Sequence, residues 1–375
     1  MSIYDEGIFL GRVRLSEGGH PRIVTLRGGK AIDITSKTAP TVRDICEMDD
    51  PTGYVRSATG TPIADLDALL SGTAKGATLL SPIDLQAVKA SGVTFVVSLL
   101  ERVIEEQAKG DASRADALRQ DILGLIGDDL SDLEPGSDAA MAVKAKLIER
   151  GVWSQYLEVG IGPDAEIFTK CQPMASVGHG ADIGLHPVSS WNNPEPEVAM
   201  VVTSHGRIIG ATLGNDVNLR DVEGRSALLL GKAKDNNASA ALGPFIRLFD
   251  DGFTLDMVKA MDIALEVKGQ DGFVLNGASS MSQISRSPES LVAAAIGDHH
   301  QYPDGLVLYL GTMFAPVQDR GGEGKGFTHK LGDTVTISTP SLGALVNTVR
   351  LSTECPAWTY GTRSLMADLA KAGLL

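Results

Sequence analysis

Cysteine is scarce: Cys46, Cys171 and Cys355 are the only three in 375 residues, widely spaced and odd in number. That excludes a disulfide framework and a cysteine-rich zinc module, so all three are expected as reduced thiols. Positive charge is also short, with 33 Lys and Arg against 47 Asp and Glu and a formal charge of −14. A phosphate backbone needs a concentrated basic surface, so nucleic acid is not expected as a partner. No apolar run approaches the roughly 20 residues of a membrane span, and Met1-Ser2-Ile3-Tyr4-Asp5-Glu6 lacks a basic and apolar leader. A cytoplasmic protein without a membrane partner is the expectation. What is present, 43% hydrophobic and 21% charged residues, suits a globular chain with a large core.

Against that background three carboxylates and a lysine stand out. Glu195 and Glu197 flank Pro196, and in an extended strand alternate side chains share a face, so both carboxylates project together. Proline between them suits the start or edge of a strand. The apolar runs Val198–Val202 and Ile208–Leu213, joined through His205-Gly206, read as a hairpin that returns Asp216 to the first two acids. Oxygen ligands without cysteine or paired histidine favour magnesium, calcium or manganese over zinc or copper. The competing reading of Glu-x-Glu is a solvated strand face.

The surrounding residues decide between the two. Glu195-Pro-Glu197, Gly214-Asn-Asp216-Val-Asn218-Leu-Arg-Asp221, Lys234 and Leu242-Gly-Pro-Phe245 together resemble the core of the fumarylacetoacetate hydrolase family. The chain is most similar to that family's branch of 2-keto-3-deoxy-pentonate dehydratases, which act on sugar acids derived from D-xylose or D-arabinose. Trp153–Glu158, Gly162–Lys170, Asp235–Ser239 and Gly311–Pro316 extend the resemblance over most of the chain from about residue 80. It implies Glu195, Glu197 and Asp216 as metal ligands, with magnesium as the cofactor and manganese as an alternative. It further implies Glu166 and Lys234 as catalytic residues, and Ser98, Arg102, Asn218 and Thr312, the last beside Gly311, as substrate-binding residues. It also implies a β-roll core and a homodimer or homotetramer.

Two departures bear on the reaction. Where hydrolases of the family keep a histidine that handles water, this chain has Arg102, and Asn237 stands where many members have aspartate. The resemblance therefore implies a lyase that removes water from 2-keto-3-deoxy-D-pentonate to give 2,5-dioxopentanoate in pentose catabolism. The alternatives are hydrolysis of a carbon–carbon bond in a 2,4-diketo-3-deoxy sugar acid or acylpyruvate, and a metal-dependent sugar-acid binding protein. The chemistry suits the first. In such an acid the C1 carboxylate and C2 ketone lie side by side for one magnesium, polarising the ketone acidifies C3, and the C4 hydroxyl then needs a proton to leave. A carboxylate near a lysine supplies groups whose proton affinities shift one another. Arg102 offers a planar donor fork for a substrate carboxylate or hydroxyl, or else joins an exposed ion pair with Glu101, Glu105 and Glu106. Ser98 and Thr312, as short hydroxyl residues, also suit caps and turns.

Along the chain, Ile23–Leu26 and Ala31–Ile34 read as a hairpin turned at Gly28-Gly29, and residues 1–75 as a small β-rich domain before a catalytic domain over 76–375. Val93–Val97 reads as a strand and about 99–150 as a helical arm. Helices are expected along Leu99–Ile104, around Ala115–Leu125, after a Ser137 cap, and near 226–234 and 287–295. Residues 101–135 hold ten acidic and four basic side chains, which suits a solvated arm. Periodicity alone gives an α+β class. His299-His300 is discounted as a ligand pair because neighbours in a strand face opposite ways, and Gly321–Gly326 lacks phosphate-loop spacing.

Overall fold

A computed structural model describes residues 3–375 apart from 110, 112–113, 115–132, 150, 152 and 323–325; the side chains of 96–98, 100 and 105 are also outside the description. The helix expected at Ala115–Leu125, the side chain of Ser98 and the middle of the Gly321–Gly326 run therefore lie outside the described residues. The first strands are β1 (Phe9–Leu15), β2 (Arg22–Arg27), β3 (Lys30–Asp33), β4 (Thr61–Asp65), β5 (Ala77–Leu79), β6 (Ala87–Ser91), β7 (Ile167–Cys171) and β8 (Asp182–Leu185). Then follow β9 (Pro196–Val202), β10 (Ile208–Asp216), β11 (Ala240–Leu248), β12 (Asp262–Lys268), β13 (Val274–Ser280), β14 (Leu306–Tyr309), β15 (Thr334–Thr339) and β16 (Gly343–Leu351).

Among the described residues eleven strands form one sheet in the order β4-β3-β2-β1-β11-β10-β9-β14-β6-β7, with β5 also on β1. Five more form a second sheet, β13-β12-β15-β16-β8. Both sheets are mixed, since β14 runs parallel to β6 and β16 parallel to β8 while the other ladders are antiparallel. The class is α+β, as periodicity indicated. Residues before 75 do not stand apart from the large sheet: β1 pairs with β11 through Phe9 and Leu10, and Leu10, Ile23 and Ile32 share a core with Val201, Ile246 and Tyr309.

β9, β10 and β11 are buried along nearly their whole length, because both faces of this part of the sheet are covered. That explains their continuous apolar runs, in contrast to β12, whose residues alternate exposed and buried. The hairpin at Gly28-Gly29 forms as expected, with both glycines at positive φ. Ser137 accepts from Ala140 N–H at the start of the helix Asp138–Glu149, and Ser287 caps the helix Pro288–Ala295.

Val93–Val97 is not a strand. The chain leaves β6 at Ser91, and a helix runs from Val96 to Gln107 with Phe95 as its N-cap. The β-branched run suggested extension, but Leu99, Val103 and Ile104 recur at helical spacing and are buried against Tyr156, Leu157 and Ile161 of the helix Gln155–Ile161. Packing of that apolar stripe overrides local strand propensity.

Candidate metal and catalytic site

The expected hairpin exists. In the β9–β10 ladder Gly214 faces Glu197 and Asn215 faces Pro196, and just beyond it Asp216 N–H donates to the Glu195 carbonyl at 3.0 Å. Proline at the first position of β9 costs no ladder bond, and the Asn215 side chain accepts from Glu195 N–H at 3.1 Å. Oxygen atoms of Glu195, Glu197 and Asp216 consequently all lie within 4.8 Å of one another, and all three residues are buried. Among the described residues this is the one group of three or more metal-type ligands. His299 and His300 are exposed.

Each carboxylate is held by named partners. Glu197 accepts from Gly311 N–H at 2.8 Å and from the Thr312 hydroxyl at 3.4 Å. Gly311 has φ +101, and a Cβ there would stand 2.2 Å from Thr94 Oγ1, so glycine is required for its N–H to reach the acid. Glu195 uses both oxygens, Oε1 with Arg102 and Oε2 with Lys234. Lys234 Nζ also lies 3.1 Å from Asp216 Oδ2. Asp216 Oδ1 pairs at 2.7 Å with Lys170, a fully buried residue of β7 that also donates to the Val217 and Lys234 carbonyls.

These contacts fix the electrostatics. Burial raises the Asp216 carboxyl, but Lys170 and Lys234 outweigh it and hold the group below the usual carboxylate range. Among the described residues Glu197 has no directly paired cation, and burial with Asp216 beside it pushes its carboxyl up. Glu166, just before β7, is partly buried; burial first and the charge of Glu223 second push it up to about 7. Its Oε2 lies where a side chain on Gly92 would begin, 1.8 Å from the ideal Cβ position, so glycine at 92 makes room for this acid.

A small cavity opens on these groups, lined by Arg102, Tyr156, Glu166, Glu223, Lys234 and Thr312 together with Glu195. A second cavity of about 140 Å³ shares Tyr156, Glu166 and Glu223 and is otherwise walled by Gln155, Val159, Ala227 and Leu230. The structure thus brings Glu166, Lys234, Arg102, Thr312 and the three carboxylates together. Asn218 is not among the lining residues of either cavity: it is fully buried, its amide donates to Asn193 Oδ1 at 3.4 Å, and the two residues form a bridge. Sequence reading did not single out Lys170, Glu223 or Gly92. Lys170 closes the quoted Gly162–Lys170 motif, and an apolar-flanked lysine in a strand was the available signal.

Three buried carboxylates with no thiol or imidazole ligand fit a hard divalent cation that accepts oxygen donors. Fold and site together define an α+β protein built around a carboxylate site of this kind. The model of the fumarylacetoacetate hydrolase C-terminal region matches residues 159–350, and the chain belongs to that family. It is 32% identical over 188 residues to the 2-dehydro-3-deoxy-D-arabinonate dehydratase of Saccharolobus solfataricus, covering 49% of this chain and 58% of that protein. It is 29% identical over 206 residues to the probable 2-keto-3-deoxyxylonate dehydratase of Haloferax volcanii, covering 55% of this chain and 67% of that protein. The solved 2-keto-3-deoxy-D-arabinonate dehydratase in its apo form superposes with a TM-score of 0.65 at 23% identity, over 92% of this chain and 99% of that one, which shows the shared fold.

Proposed function

We propose that this protein is a magnesium-dependent dehydratase converting 2-keto-3-deoxy-D-pentonate, of xylonate or arabinonate type, to 2,5-dioxopentanoate in pentose breakdown. The observation that carries this reading is the make-up of the cavity. Acidic and cationic side chains surround the carboxylate cluster, Arg102 occupies its wall, and no histidine is among the described lining residues. Loss of water needs a proton carrier beside C3 and C4, which Glu166 supplies; hydrolysis needs a group that prepares water. The names of the curated relatives support the same substrate class. So does a structural neighbour described as complexed with magnesium and 2,5-dioxopentanoate.

Glu195, Glu197 and Asp216 would hold the cation, which when bound supplies polarisation of the C2 ketone. The protein's own groups do the rest. Arg102 and Lys234 place two positive charges at the cavity wall, where they oppose the substrate carboxylate and orient it. Glu166 takes a proton from C3 and delivers it to the C4 oxygen, which leaves as water; the carboxylate ends in the state in which it began. Tyr156 and Thr312 complete the lining. The test is turnover of 2-keto-3-deoxy-D-pentonate, the one compound that D-xylonate and D-arabinonate both give on first loss of water, by protein stripped of metal and then given magnesium. Metal-restored formation of the aldehyde acid supports the reading, and inactivity contradicts it.

A further inference from the structure

Removal of water across C3 and C4 does not by itself yield 2,5-dioxopentanoate. The immediate product is the enone 5-hydroxy-2-oxopent-3-enoate, an isomer of the final acid. One hydrogen must leave C5, one must arrive at C3, and the resulting enol must lose its hydroxyl proton while C4 gains one. Conjugation to the C2 ketone acidifies C5, yet a base has to stand there. A substrate whose C1–C2 end lay at the carboxylate cluster would extend its C5 end away from it, and the outer cavity joins the inner one at Tyr156, Glu166 and Glu223.

Glu223 stands at that junction. It ends the short helix Arg220–Glu223, which directly follows the strand bearing Asp216, and it is 6% exposed. It lines both the inner and the outer cavity, as does Glu166. Its Oε2 lies 3.3 Å from Arg102 Nη1 and 4.0 Å from Lys234 Nζ, and among the described residues that oxygen has no hydrogen-bond partner. Two cations hold the carboxylate in place beside the cavity, and its Oε2 faces them without a hydrogen bond. It is not one of the three clustered carboxylates, and it bears on the water-loss step only through its charge beside Glu166.

We propose that Glu223 is a second catalytic carboxylate, which transfers a proton from C5 to C3 of the enone after Glu166 has completed water loss. The C5–H bond breaks to Glu223, its electron pair forms C4=C5, and charge moves through C3 to the C2 oxygen. Glu223 then returns the proton to C3, restoring the C2 ketone. The remaining enol exchanges its hydroxyl proton for one at C4 in water and becomes the aldehyde. No oxidant, reductant or second substrate is required.

This inference rests on the dehydratase reading, and one experiment separates the two. Wild-type protein with magnesium is given 2-keto-3-deoxy-pentonate, and product is followed by proton NMR beside the Glu223→Gln variant. Failure of the wild type to remove water defeats the dehydratase reading itself. If the wild type forms 2,5-dioxopentanoate, Glu223→Gln is expected to keep C3 exchange with solvent deuterium and to keep losing water. It should release the enone, with aldehyde formation down about 10²–10³-fold. Aldehyde formation at the wild-type rate, or loss of C3 exchange together with water loss in a folded variant, would overturn the assignment. Should Glu223→Gln not fold, Glu223→Asp keeps the charge and withdraws it by one methylene. A raised share of enone in its product then supports the proposal, and an unchanged share overturns it.

Discussion

Lys170 and Asp216 form a fully buried ion pair, Nζ to Oδ1 2.7 Å, although their strands are not neighbours in the sheet. Between β7 and β10 lie β6, β14 and β9. At the roughly 4.8 Å spacing of paired strands, a flat sheet would separate them by about 19 Å, beyond a lysine's reach. The sheet must therefore roll, and its concave side is where the cation of β7 meets the acid of β10. Asp216 also keeps Lys234 at 3.1 Å, so removing Lys170 takes away one of its two buried cations and leaves Oδ1 unsatisfied, typically a loss of about 1–3 kcal/mol. Lys170→Met is expected to lower stability by that order in a chemical denaturation series, and to weaken magnesium binding by freeing the Asp216 carboxylate to reorient. Unchanged stability would mean that Lys234 alone suffices to compensate Asp216.

Glu195→Gln and Asp216→Asn remove a ligand charge while keeping one oxygen in place. Each is expected to weaken magnesium binding at least tenfold by calorimetry, with the fold intact by circular dichroism. In Glu195→Gln, Arg102 and Lys234 also each lose one anionic partner, keeping Glu223 and Asp216 respectively. Equal affinity in both variants and wild type would show that the cluster is not the cation site.

Glu166→Gln should spare magnesium affinity and reduce kcat about 10²–10⁴-fold, the span typical of a lost proton-transfer group. The pH profile gives the sign. Burial and Glu223 raise this carboxyl to about 7, so below that pH it is protonated and cannot accept the C3 proton. At saturating magnesium, kcat should rise with pH through about 7. Glu223→Gln, which removes the nearby negative charge, should move that limb to lower pH.

Gly92→Ala tests the placement of the same acid without altering any ionisable group. The added Cβ would fall 1.8 Å from Glu166 Oε2, so the carboxylate must swing aside. A fall in kcat of at least tenfold is expected, with magnesium affinity within twofold of wild type. Unaltered kcat would place the working position of Glu166 away from Gly92.

How far the site could be read from sequence follows from how its parts are connected. Glu195, Glu197 and Asp216 were legible because one hairpin and a period of two fix their relation. Lys170, Gly92 and Glu223 come from an edge strand, the exit from β6 and a four-residue helix, and only the roll of the sheet assembles them. No local pattern announces such a meeting. Val93–Val97 was misread for a related reason: its β-branched residues are compatible with a strand, and the decision for a helix is made by burial of Leu99, Val103 and Ile104 against a helix fifty residues later. Asn218 sits in the right motif, yet its side chain turns to Asn193, which motif position alone does not reveal.

The most direct measurement is product identification after incubating the protein with 2-keto-3-deoxy-D-pentonate and magnesium. Water loss followed by isomerisation predicts 2,5-dioxopentanoate as the sole product, with all five carbons in one chain. Pyruvate together with a two-carbon fragment would show carbon–carbon cleavage and contradict the assignment of Arg102, Glu166 and the carboxylate cluster to dehydration.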